Sequence, residues 1–362
     1  MGEQLTGSQI LCRALLEEGV DILFGYPGGA IMPFYHALPE YPELRHVLVR
    51  HEQAAAHAAD GYARASGRPG VCVATSGPGA TNLVTGIATA HMDSTPLVAI
   101  TGQVARAMIG RDAFQETDII GITQPITKHN RLVEDVEELA EAVHEVFAVA
   151  REGRPGPVLL DVPKDVQNQK LDYDGGANGS VRGATGRREG LIGQPTPTAL
   201  VEAARLIARA ERPLIMAGHG VILSDAYDEL RALAERTGAP VITTLLGISA
   251  FPESHPLHLG MPGMHGEVHV NRAIQQADLI IGIGLRFDDR VTGNLAAFAR
   301  GAKVIHIELD ASEIGKNVPV AVGLVGDARA VLRELLEALE PRHCDAWRAE
   351  IESFVRPRFE SS

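Results

Sequence analysis

Cysteine is scarce in this sequence. Cys12, Cys72 and Cys344 are the only cysteines among 362 residues, and none belongs to a CxxC pair or lies at metal-ligand spacing from a histidine. The pattern therefore indicates neither a disulfide framework nor a zinc site. Because free cysteine usually behaves as a small buried apolar residue, we expect Cys12 and Cys72 to lie in a core.

Long apolar segments are also missing. The longest apolar runs, such as residues 279–283, are far shorter than the roughly 20 residues that a membrane-spanning helix needs. Residues 1–4 lack the basic segment and the apolar stretch of a secretory signal. We therefore expect a cytoplasmic protein that does not bind membranes.

Positive charge is in short supply. With 33 Lys and Arg against 46 Asp and Glu, the formal net charge is -13, and the richest basic run is only Arg187-Arg188. A phosphate backbone repels such a surface, which argues against nucleic acid as a partner. Hydrophobic residues make up 45% and charged residues 22%, as in ordinary globular proteins, and the length corresponds to about two domains.

Apolar strand-like runs alternate with helical patterns in both halves of the chain. Continuous apolar runs between helices indicate parallel sheets covered on both faces. We predict an α/β protein with two doubly wound parallel-sheet domains, over residues 1–171 and 197–341. Residues 172–196, which are poor in apolar side chains, are the predicted linker. Residues 342–362 are predicted to be a tail without a core of its own, leading toward a domain that is absent.

Several motifs follow the predicted strands of the first domain. Glu52 begins a predicted helix over residues 52–66, at the sheet edge where parallel sheets bind ligands. The helix dipole alone also favours an acidic residue there, so position leaves both interpretations open. The motifs, in chain order, are Gly25-Tyr-Pro-Gly-Gly-Ala30, Arg50-His-Glu-Gln53, Ala59-Asp-Gly-Tyr-Ala-Arg64 and Thr75-Ser-Gly-Pro-Gly-Ala-Thr-Asn82.

This series resembles the pyrimidine-binding domain of thiamine-diphosphate enzymes. In that family a glutamate hydrogen-bonds a ring nitrogen of the cofactor and promotes the imino tautomer that removes the C2 proton of the thiazolium. The resemblance assigns this role to Glu52, where partial desolvation would strengthen the shared hydrogen bond. It also places Tyr26, Gly28 and Gly29 near the cofactor, although glycine after a strand is by itself usually turn chemistry.

A second group of motifs resembles acetolactate synthases in particular. The resemblance implies decarboxylation of pyruvate and carboligation to a second 2-keto acid, pyruvate or 2-ketobutyrate, in branched-chain amino-acid biosynthesis. These motifs are Gly110-Arg-Asp-Ala-Phe-Gln-Glu116, Lys128, Gly153-Arg-Pro-Gly-Pro157, Asp161-Val-Pro-Lys-Asp165, Gly263-Met-His-Gly266 and Gly284-Leu-Arg-Phe-Asp-Asp-Arg-Val-Thr-Gly293.

The same resemblance assigns the substrate residues. It makes Glu52, Gln115 and Arg290 the expected catalytic residues, with Arg290 on the carboxylate of the second keto acid. Phe114, Lys164 and Met264 are expected in the substrate pocket. From the residues alone, the planar guanidinium of Arg290 fits a carboxylate ligand and an ion pair with Asp288 or Asp289 equally well.

The second domain is expected to hold FAD, again by resemblance. Glycines follow two predicted strands, but Phe287 occupies the position of the third glycine of a GxGxxG motif, so the pattern alone is weak. Glu313 stands where the family commonly has Asn, which leaves that contact open. The FAD contacts that the resemblance implies are Arg154, Gly218, Gly220, Thr244, Leu245, Met264, His265, Gly284, Arg286, Glu308 and Asp327.

The resemblance covers essentially the whole chain but not the family's third domain, whose Gly-Asp-Gly motif and later Asn hold Mg²⁺ and the diphosphate. Gly326-Asp327-Ala328 is not that motif. We therefore expect this chain to bind only the pyrimidine half of thiamine diphosphate and to supply no metal ligand. Either it is a fragment, or a separate chain supplies the diphosphate domain with its Mg²⁺. A homo-oligomer, at least a dimer, is expected, and the family allows for a regulatory small subunit.

Other functions stay open at this point. One is another thiamine-diphosphate enzyme: a sulfoacetaldehyde acetyltransferase, a glyoxylate carboligase or a pyruvate oxidase. Glu52 argues against the carboligase, and Arg290 with Phe114 argues against the oxidase. Another is a truncated, non-catalytic FAD-binding assembly subunit. Five histidines without ligand spacing are expected to lie on the surface or in loops: His57, His91, His255, His258 and His269.

Overall fold

The computed structural model describes residues 3–173 and 193–354. The chain divides into two units, Met1–Leu191 and Ile192–Ser362. Each unit has its own sheet and its own apolar cores. Residues 174–192, which make up most of the predicted linker, lie outside the described residues.

Within residues 3–173, the first unit contains eight strands. Their bounds are β1 Glu3–Thr6, β2 Ile22–Gly25, β3 Arg45–Leu48, β4 Gly70–Ala74, β5 Leu97–Gln103, β6 His129–Leu132, β7 Val158–Pro163 and β8 Lys170–Tyr173. Six of them form a parallel sheet in the order β3-β2-β4-β5-β7-β6, and β1 pairs with β8 in a separate antiparallel ribbon. Every residue of β4, β5 and β7 is buried, which fits a sheet covered on both faces.

Helices cover both faces of the first sheet. Alternation along β4 turns Val71 and Val73 toward one core and Cys72 and Ala74 toward the other, as the two-residue period of a strand requires. The helices are α1 Gly7–Glu17, α2 Met32–Ala37, α3 Glu52–Ser66, α4 Pro78–Thr81, α5 Val84–Asp93, α6 Ile119–Thr123, α7 Leu139–Arg151 and α8 Lys164–Asn168. The first core contains side chains of α1, α2 and α7, and the second contains those of α3, α5 and α6.

The second unit repeats this architecture. Its strands are β9 Pro213–Ala217, β10 Val241–Thr243, β11 His258–Gly260, β12 Leu279–Ile283, β13 Lys303–Glu308 and β14 Val322–Val325. They form one parallel sheet in the order β11-β10-β9-β12-β13-β14. Its helices are α9 Pro197–Arg209, α10 His219–Leu223, α11 Tyr227–Thr237, α12 Val268–Gln276, α13 Asp289–Thr292, α14 Ala328–Glu337 and α15 Asp345–Glu352. The predicted fold class, two doubly wound α/β domains, is confirmed.

Short 3-10 helices connect several of these elements. In the first unit they are Leu38–Glu40, Arg106–Met108, Gln124–Ile126 and Val136–Glu138. In the second unit they are Leu245–Gly247, Leu295–Ala297 and Ala311–Glu313.

The stretch after residue 341 was expected to have no core of its own, and it packs on the second unit: α15 buries Trp347, whose indole Nε1 donates to the carbonyl of Pro213 at 3.0 Å. One expectation from the sequence is wrong. His269 was expected on the surface or in a loop, yet it lies on α12 with 2% of its surface exposed and contacts the carbonyl of Leu259 at 3.0 Å. The partner of Trp347 lies 134 residues away and that of His269 ten residues away, and neither contact follows from the pattern within a single helix. The expected burial of Cys12 and Cys72 is confirmed.

Candidate functional site

The order of the strands creates a crevice in the first unit. From β2 the chain runs to β3 on one side and then crosses to β4 on the other, so the strand order reverses between β2 and β4. Ligands of open parallel sheets bind at the carboxyl ends of the strands flanking such a point. The segments that leave those ends are Tyr26–Ala30 after β2 and Thr75–Gly79 after β4.

Glu52 is the first residue of α3, which follows β3. His51 precedes it in extended conformation and caps the helix, because its Nδ1 accepts a hydrogen bond from the amide of Gln53 at 3.1 Å. The helix ends at Gly67, whose φ of 71° is left-handed, as C-terminal caps commonly are. These local signals explain why the predicted bounds of this helix, residues 52–66, match those of the structure.

The two carboxylate oxygens of Glu52 have different surroundings. Oε2 accepts a hydrogen bond from the side-chain amide of Asn82 at 2.9 Å. Oε1 lies 3.2 Å from the position that a Cβ on Gly79 would take. The residue is 9% exposed. Asn82 thus fixes one oxygen of the carboxylate. Glycine at position 79 leaves room for the other oxygen and for Thr75 Cγ2, which would lie 2.8 Å from the same added Cβ.

The turn after β2 is built around Thr75. Its hydroxyl oxygen accepts a hydrogen bond from the amide of Ala30 at 3.1 Å, and a Cβ on Gly28 would lie 2.4 Å from Thr75 Cγ2. A Cβ on Gly29 would meet nothing within 4 Å. Packing therefore explains glycine at position 28, whereas at position 29 the space is free. Tyr26, predicted to lie near the cofactor, is 41% exposed.

A tyrosine and a histidine lie behind this turn. Tyr35 and His46 are joined by a 3.2 Å contact between the hydroxyl and Nε2, and a Cβ on Gly25 would lie 2.5 Å from the same hydroxyl. Burial, and then the charge of Glu52, raise the pKa of Tyr35, while burial lowers the pKa of His46. Sequence reasoning missed both residues, because neither belongs to a motif near Glu52.

The loop between β5 and α6 carries two of the predicted substrate residues. Phe114 is 88% exposed. Gln115 has a φ of 59°, which is unusual for a residue other than glycine, and a Cβ on Gly77 would lie 2.7 Å from its carbonyl oxygen. The loop therefore extends to the turn after β4, beside the switch point. Lys164, also predicted for the substrate pocket, is exposed at the start of α8, where β7 ends.

A buried carboxyl lies under this edge of the sheet. Asp161 on β7 is 1% exposed and accepts hydrogen bonds from Thr101 Oγ1 at 2.7 Å and from Gln103 Nε2 at 2.9 Å. Burial raises the pKa of Asp161 to about 6, against the hydrogen bonds that lower it. Gln103 Nε2 also donates to the carbonyl of Thr117 at 3.1 Å, so the network reaches the end of the loop that contains Gln115.

The second unit has its own switch point, between β9 and β12. The amide of Gly218 donates to the carbonyl of Ile283 at 2.9 Å, and that of Gly220 to the carbonyl of Gly284 at 3.0 Å. A Cβ on Gly218 would lie 2.3 Å from Gly284 O, and one on Gly220 would lie 2.6 Å from Gly284 Cα. The three glycines let the two strand ends pack against each other, which gives them a structural reason independent of any ligand.

The remaining predicted FAD residues of this unit follow the carboxyl ends of neighbouring strands. Leu245 follows β10 and is 70% exposed, and Met264 follows β11 and is 63% exposed. Glu308 ends β13 and accepts from the amide of Leu309, whereas Asp327 after β14 caps α14. Thr244 is buried, and His265 is exposed. Because all six strands are parallel, these residues share one edge of the sheet.

Arg290 and Met264 lie side by side. The amide of Met264 donates to the carbonyl of Arg290 at 3.0 Å, and Arg290 Nη1 lies 3.8 Å from the sulfur. The guanidinium is also 3.8 Å from a carboxylate oxygen of Asp289, with both side chains mostly exposed. From the sequence, Arg290 could equally bind a carboxylate ligand or pair with Asp288 or Asp289. The structure contains the pair with Asp289, but exposed ion pairs of this kind are weak.

Two other predicted cofactor residues have partners within their own unit. Arg286 approaches Asp288 at 3.8 Å. Arg154, in the first unit, donates from Nε to the hydroxyl of Ser94 at 2.8 Å.

Metal-ligand clusters and membrane helices are both absent from the described part of the chain. Among residues 3–173 and 193–354, no three His, Cys, Asp or Glu side chains gather at a spacing that could hold a metal ion. No helix in the same ranges has the length and apolar character needed to cross a membrane.

Comparison with known proteins settles the family. Residues 5–122 match the N-terminal TPP binding domain of thiamine pyrophosphate enzymes, and residues 200–335 match their central domain. The chain belongs to the thiamine pyrophosphate enzyme family. The Glu52 site lies within the first match, and the switch point between β9 and β12 lies within the second.

Proteins named acetolactate synthase are similar to this chain over more than nine tenths of its length. The chain is 53% identical to the acetolactate synthase large subunit of Corynebacterium glutamicum over 92% of this chain and 53% of that protein. It is 54% identical to a probable acetolactate synthase large subunit of Methanocaldococcus jannaschii over 92% of this chain and 56% of that protein. An acetolactate synthase of Mycobacterium bovis is 53% identical over 94% of this chain and 54% of that protein. The predicted resemblance is confirmed, and the chain spans about half the length of these relatives.

Proposed function

We propose that this chain provides the pyrimidine-binding and FAD-binding domains of an acetolactate synthase. The activity is the decarboxylation of pyruvate and its carboligation to a second 2-keto acid, pyruvate or 2-ketobutyrate. The observation that carries the proposal is the surroundings of Glu52: one oxygen is held by Asn82, and the other lies beside Gly79, where an added Cβ would come within 3.2 Å of it.

The first unit fits the pyrimidine half of thiamine diphosphate. A carboxylate with one oxygen held by a hydrogen bond can share a proton with a ring nitrogen through the other oxygen, in a defined direction. Burial of Glu52 to 9% exposure strengthens that hydrogen bond, because less water competes for it. The open space at Gly29 allows the backbone to approach a ligand. When bound, the cofactor supplies a carbon nucleophile at C2 of its thiazolium ring.

The substrate residues act by binding and orientation. In the first unit, the exposed Phe114 covers reactants with an apolar ring, Gln115 offers an amide, and Lys164 provides positive charge near the same sheet edge. In the second unit, the guanidinium of Arg290 binds the carboxylate of the second keto acid, since its pairing with Asp289 at 3.8 Å is loose and exposed. Met264 provides an apolar wall beside it.

The second unit fits FAD. Leu245 and Met264 expose large apolar side chains at the edge where doubly wound sheets bind dinucleotides. Glycines at 218, 220 and 284 keep that edge free of side chains. The carboxylates of Glu308 and Asp327 lie at the ends of the next strands. Arg154, Thr244, His265 and Arg286 are the further proposed contacts.

Mg²⁺ and the diphosphate of the cofactor require further residues. We assign those contacts to a diphosphate-binding domain, as the resemblance described above implies. The functional enzyme is then an oligomer of at least two chains, and 2-keto acids are its small-molecule partners.

Flavin binding can be tested apart from catalysis. The purified chain, incubated with FAD and desalted, is expected to retain flavin absorbance, and Leu245→Glu is expected to lose it because a charge replaces the apolar contact. Val201→Glu is the matched control, since Val201 on α9 is 66% exposed and lies outside the proposed site. A wild-type chain that never retains flavin contradicts the FAD assignment.

Catalysis is tested by acetolactate formation from pyruvate. The full chain is assayed alone and together with a chain that supplies the diphosphate-binding domain, in the presence of thiamine diphosphate, Mg²⁺ and FAD. We expect product in the combined assay. If the combined assay yields none while the two chains bind each other and both cofactors, the proposed activity is wrong.

A further inference from the structure

We propose that Glu116 is a positioning residue that holds Gln115 in its active conformation. The proposal rests on the proposed function, because it gives Gln115 a role at the substrate. In the sequence, Glu116 is only the last residue of the motif that begins at Gly110, and the family match gives it no role. The contacts of its carboxylate in the structure are the basis for the proposal.

The carboxylate of Glu116 folds back on the loop that precedes it. It accepts hydrogen bonds from the backbone amides of Gly110, of Arg111 at 3.3 Å and of Ala113 at 2.9 Å. In return, the amide of Glu116 donates to the carbonyl of Ala113 at 2.9 Å. Hydrogen bonds from these backbone amides, from Ala113 first, lower the pKa of Glu116, so the group is a charged acceptor at neutral pH.

The hydrogen bonds to the Glu116 carboxylate lie next to a strained residue. Gln115 has a φ of 59° and Asp112 one of 54°, and such conformations persist only where the surroundings enforce them. Gln115 stands between Ala113 and Glu116, whose mutual hydrogen bonds close the chain around it. A loop without that closure would relax residue 115 to ordinary backbone angles and turn its side chain away.

The C-terminal part of the loop is held at two points. The carbonyl of Thr117, one residue after Glu116, accepts from Gln103 Nε2 at 3.1 Å. The backbone of Gln115 lies against Gly77, where an added Cβ would come within 2.7 Å of the Gln115 carbonyl oxygen. The hydrogen bonds to the Glu116 carboxylate then tie residues 110–113 to this part of the loop. Glu116 therefore acts through Gln115 and does not itself need to touch a reactant.

Hydrogen exchange in the full chain tests the hydrogen bonds to the Glu116 carboxylate directly. In Glu116→Ala, amides 110–113 are expected to exchange at least about tenfold faster, because they lose their acceptor, while the peptide covering β4 keeps its wild-type rate. Glu116→Gln keeps one acceptor oxygen and is expected to show an intermediate effect. Glu43→Ala, a change at an exposed glutamate of the same unit, is the control. Unchanged exchange of amides 110–113 in Glu116→Ala would overturn the proposal.

A double-mutant cycle tests whether Glu116 acts through Gln115. Acetolactate formation is compared for Glu116→Ala, Gln115→Ala and the double variant, in the combined assay described above. Because one residue works through the other, the double variant should be no slower than Gln115→Ala alone. Multiplying effects would overturn the positioning role and leave the proposed function intact. An unaffected Gln115→Ala enzyme would instead contradict the substrate role of Gln115, and the positioning role with it.

Discussion

Asn82 donates its side-chain amide to Glu52 Oε2 at 2.9 Å across 30 positions of sequence. The donor lies at the C-terminal end of α4 and the acceptor at the start of α3. These two helices follow strands that end at the same edge of the first sheet. The contact therefore decides which carboxylate oxygen is available to a ligand.

Removal of this donor should weaken catalysis more than folding. We expect Asn82→Ala to lower the rate of acetolactate formation by roughly tenfold, since a hydrogen bond to a charged group is worth about 1.5 kcal/mol or more. The melting temperature should change little, because Glu52 can then bind water. Thr81→Ala, which removes only a hydroxyl contact to the carbonyl of Pro78, is the control. A rate equal to that of the control would show that Asn82 does not orient Glu52.

Adjacent glycines give a second, matched test. Gly28→Ala brings a Cβ within 2.4 Å of Thr75 Cγ2 and should destabilise the chain by about 1–3 kcal/mol, as overpacking does. Gly29→Ala meets nothing within 4 Å and should leave stability within about 0.5 kcal/mol of wild type. It should nevertheless weaken thiamine diphosphate binding, if the backbone lies against the cofactor as proposed. Thermal unfolding and cofactor titration separate the two effects; unaltered cofactor affinity in Gly29→Ala would remove that contact.

As the pH rises from about 4 to about 6, the titration of Asp161 should lower the free energy of unfolding. Its folded pKa of about 6 exceeds the unfolded value of about 3.9, so the folded state holds the proton more tightly. Its contribution is complete below the unfolded pKa and is lost as pH rises through the folded pKa. The shift of about two units corresponds to about 3 kcal/mol.

The variant Asp161→Asn isolates this contribution. The difference in free energy of unfolding between wild type and variant should change by that amount across the pH window and stay constant above it. A constant offset from the altered hydrogen bonds to Thr101 and Gln103 does not matter, since only the pH dependence is compared. Parallel curves for the two proteins would mean that Asp161 has an ordinary pKa in the folded chain.

His144 should act in a different pH range. It contacts Glu18 through Nδ1 at 2.8 Å and Glu17 through Nε2 at 3.2 Å, and the hydrogen bond to Glu18 chiefly raises the pKa of His144. Its contribution is complete below the ordinary histidine pKa of about 6.5 and is lost as pH rises through the folded value.

His144→Ala should therefore lower stability at acidic pH and have less effect at alkaline pH. We expect a loss below about 1 kcal/mol, because the imidazole is 41% exposed and solvent screens the pair. Urea unfolding at pH 5.5 and at pH 9 measures the difference. A loss that is equal at both pH values would point to packing between α1 and α7 as its cause.

Local signals explain what the sequence could predict. The bounds of α3 follow from a capping residue before Glu52 and a glycine after Ser66, and the buried strands follow from continuous apolar runs. The pairing of β1 with β8 places Glu3 opposite Tyr173. The residue pattern within either strand does not predict a partner so far along the chain. Trp347 likewise becomes buried through a contact with Pro213, which no local periodicity encodes.

The candidate site likewise contains features that the sequence predicted and contacts that it did not. Their positions after predicted strands placed Glu52 and the glycine turns at one sheet edge, because parallel strands bring their carboxyl ends together, whereas Gln115 was assigned only by the resemblance. It did not reveal Asn82 as the partner of Glu52, nor Tyr35 and His46 behind the turn, because those contacts depend on side-chain packing across the sheet. The glycines at 218, 220 and 284 were read as ligand contacts, whereas the structure shows that they also allow two strand ends to pack.

We propose that Glu52 activates thiamine diphosphate. The rate at which the C2 proton of bound thiamine diphosphate exchanges with deuterium, followed by NMR in the combined assay for wild type and Glu52→Gln, tests this role. We expect the variant to keep its fold and to slow this exchange, and acetolactate formation with it, by at least about a hundredfold. A variant whose exchange rate and turnover stay within about tenfold of wild type would contradict it.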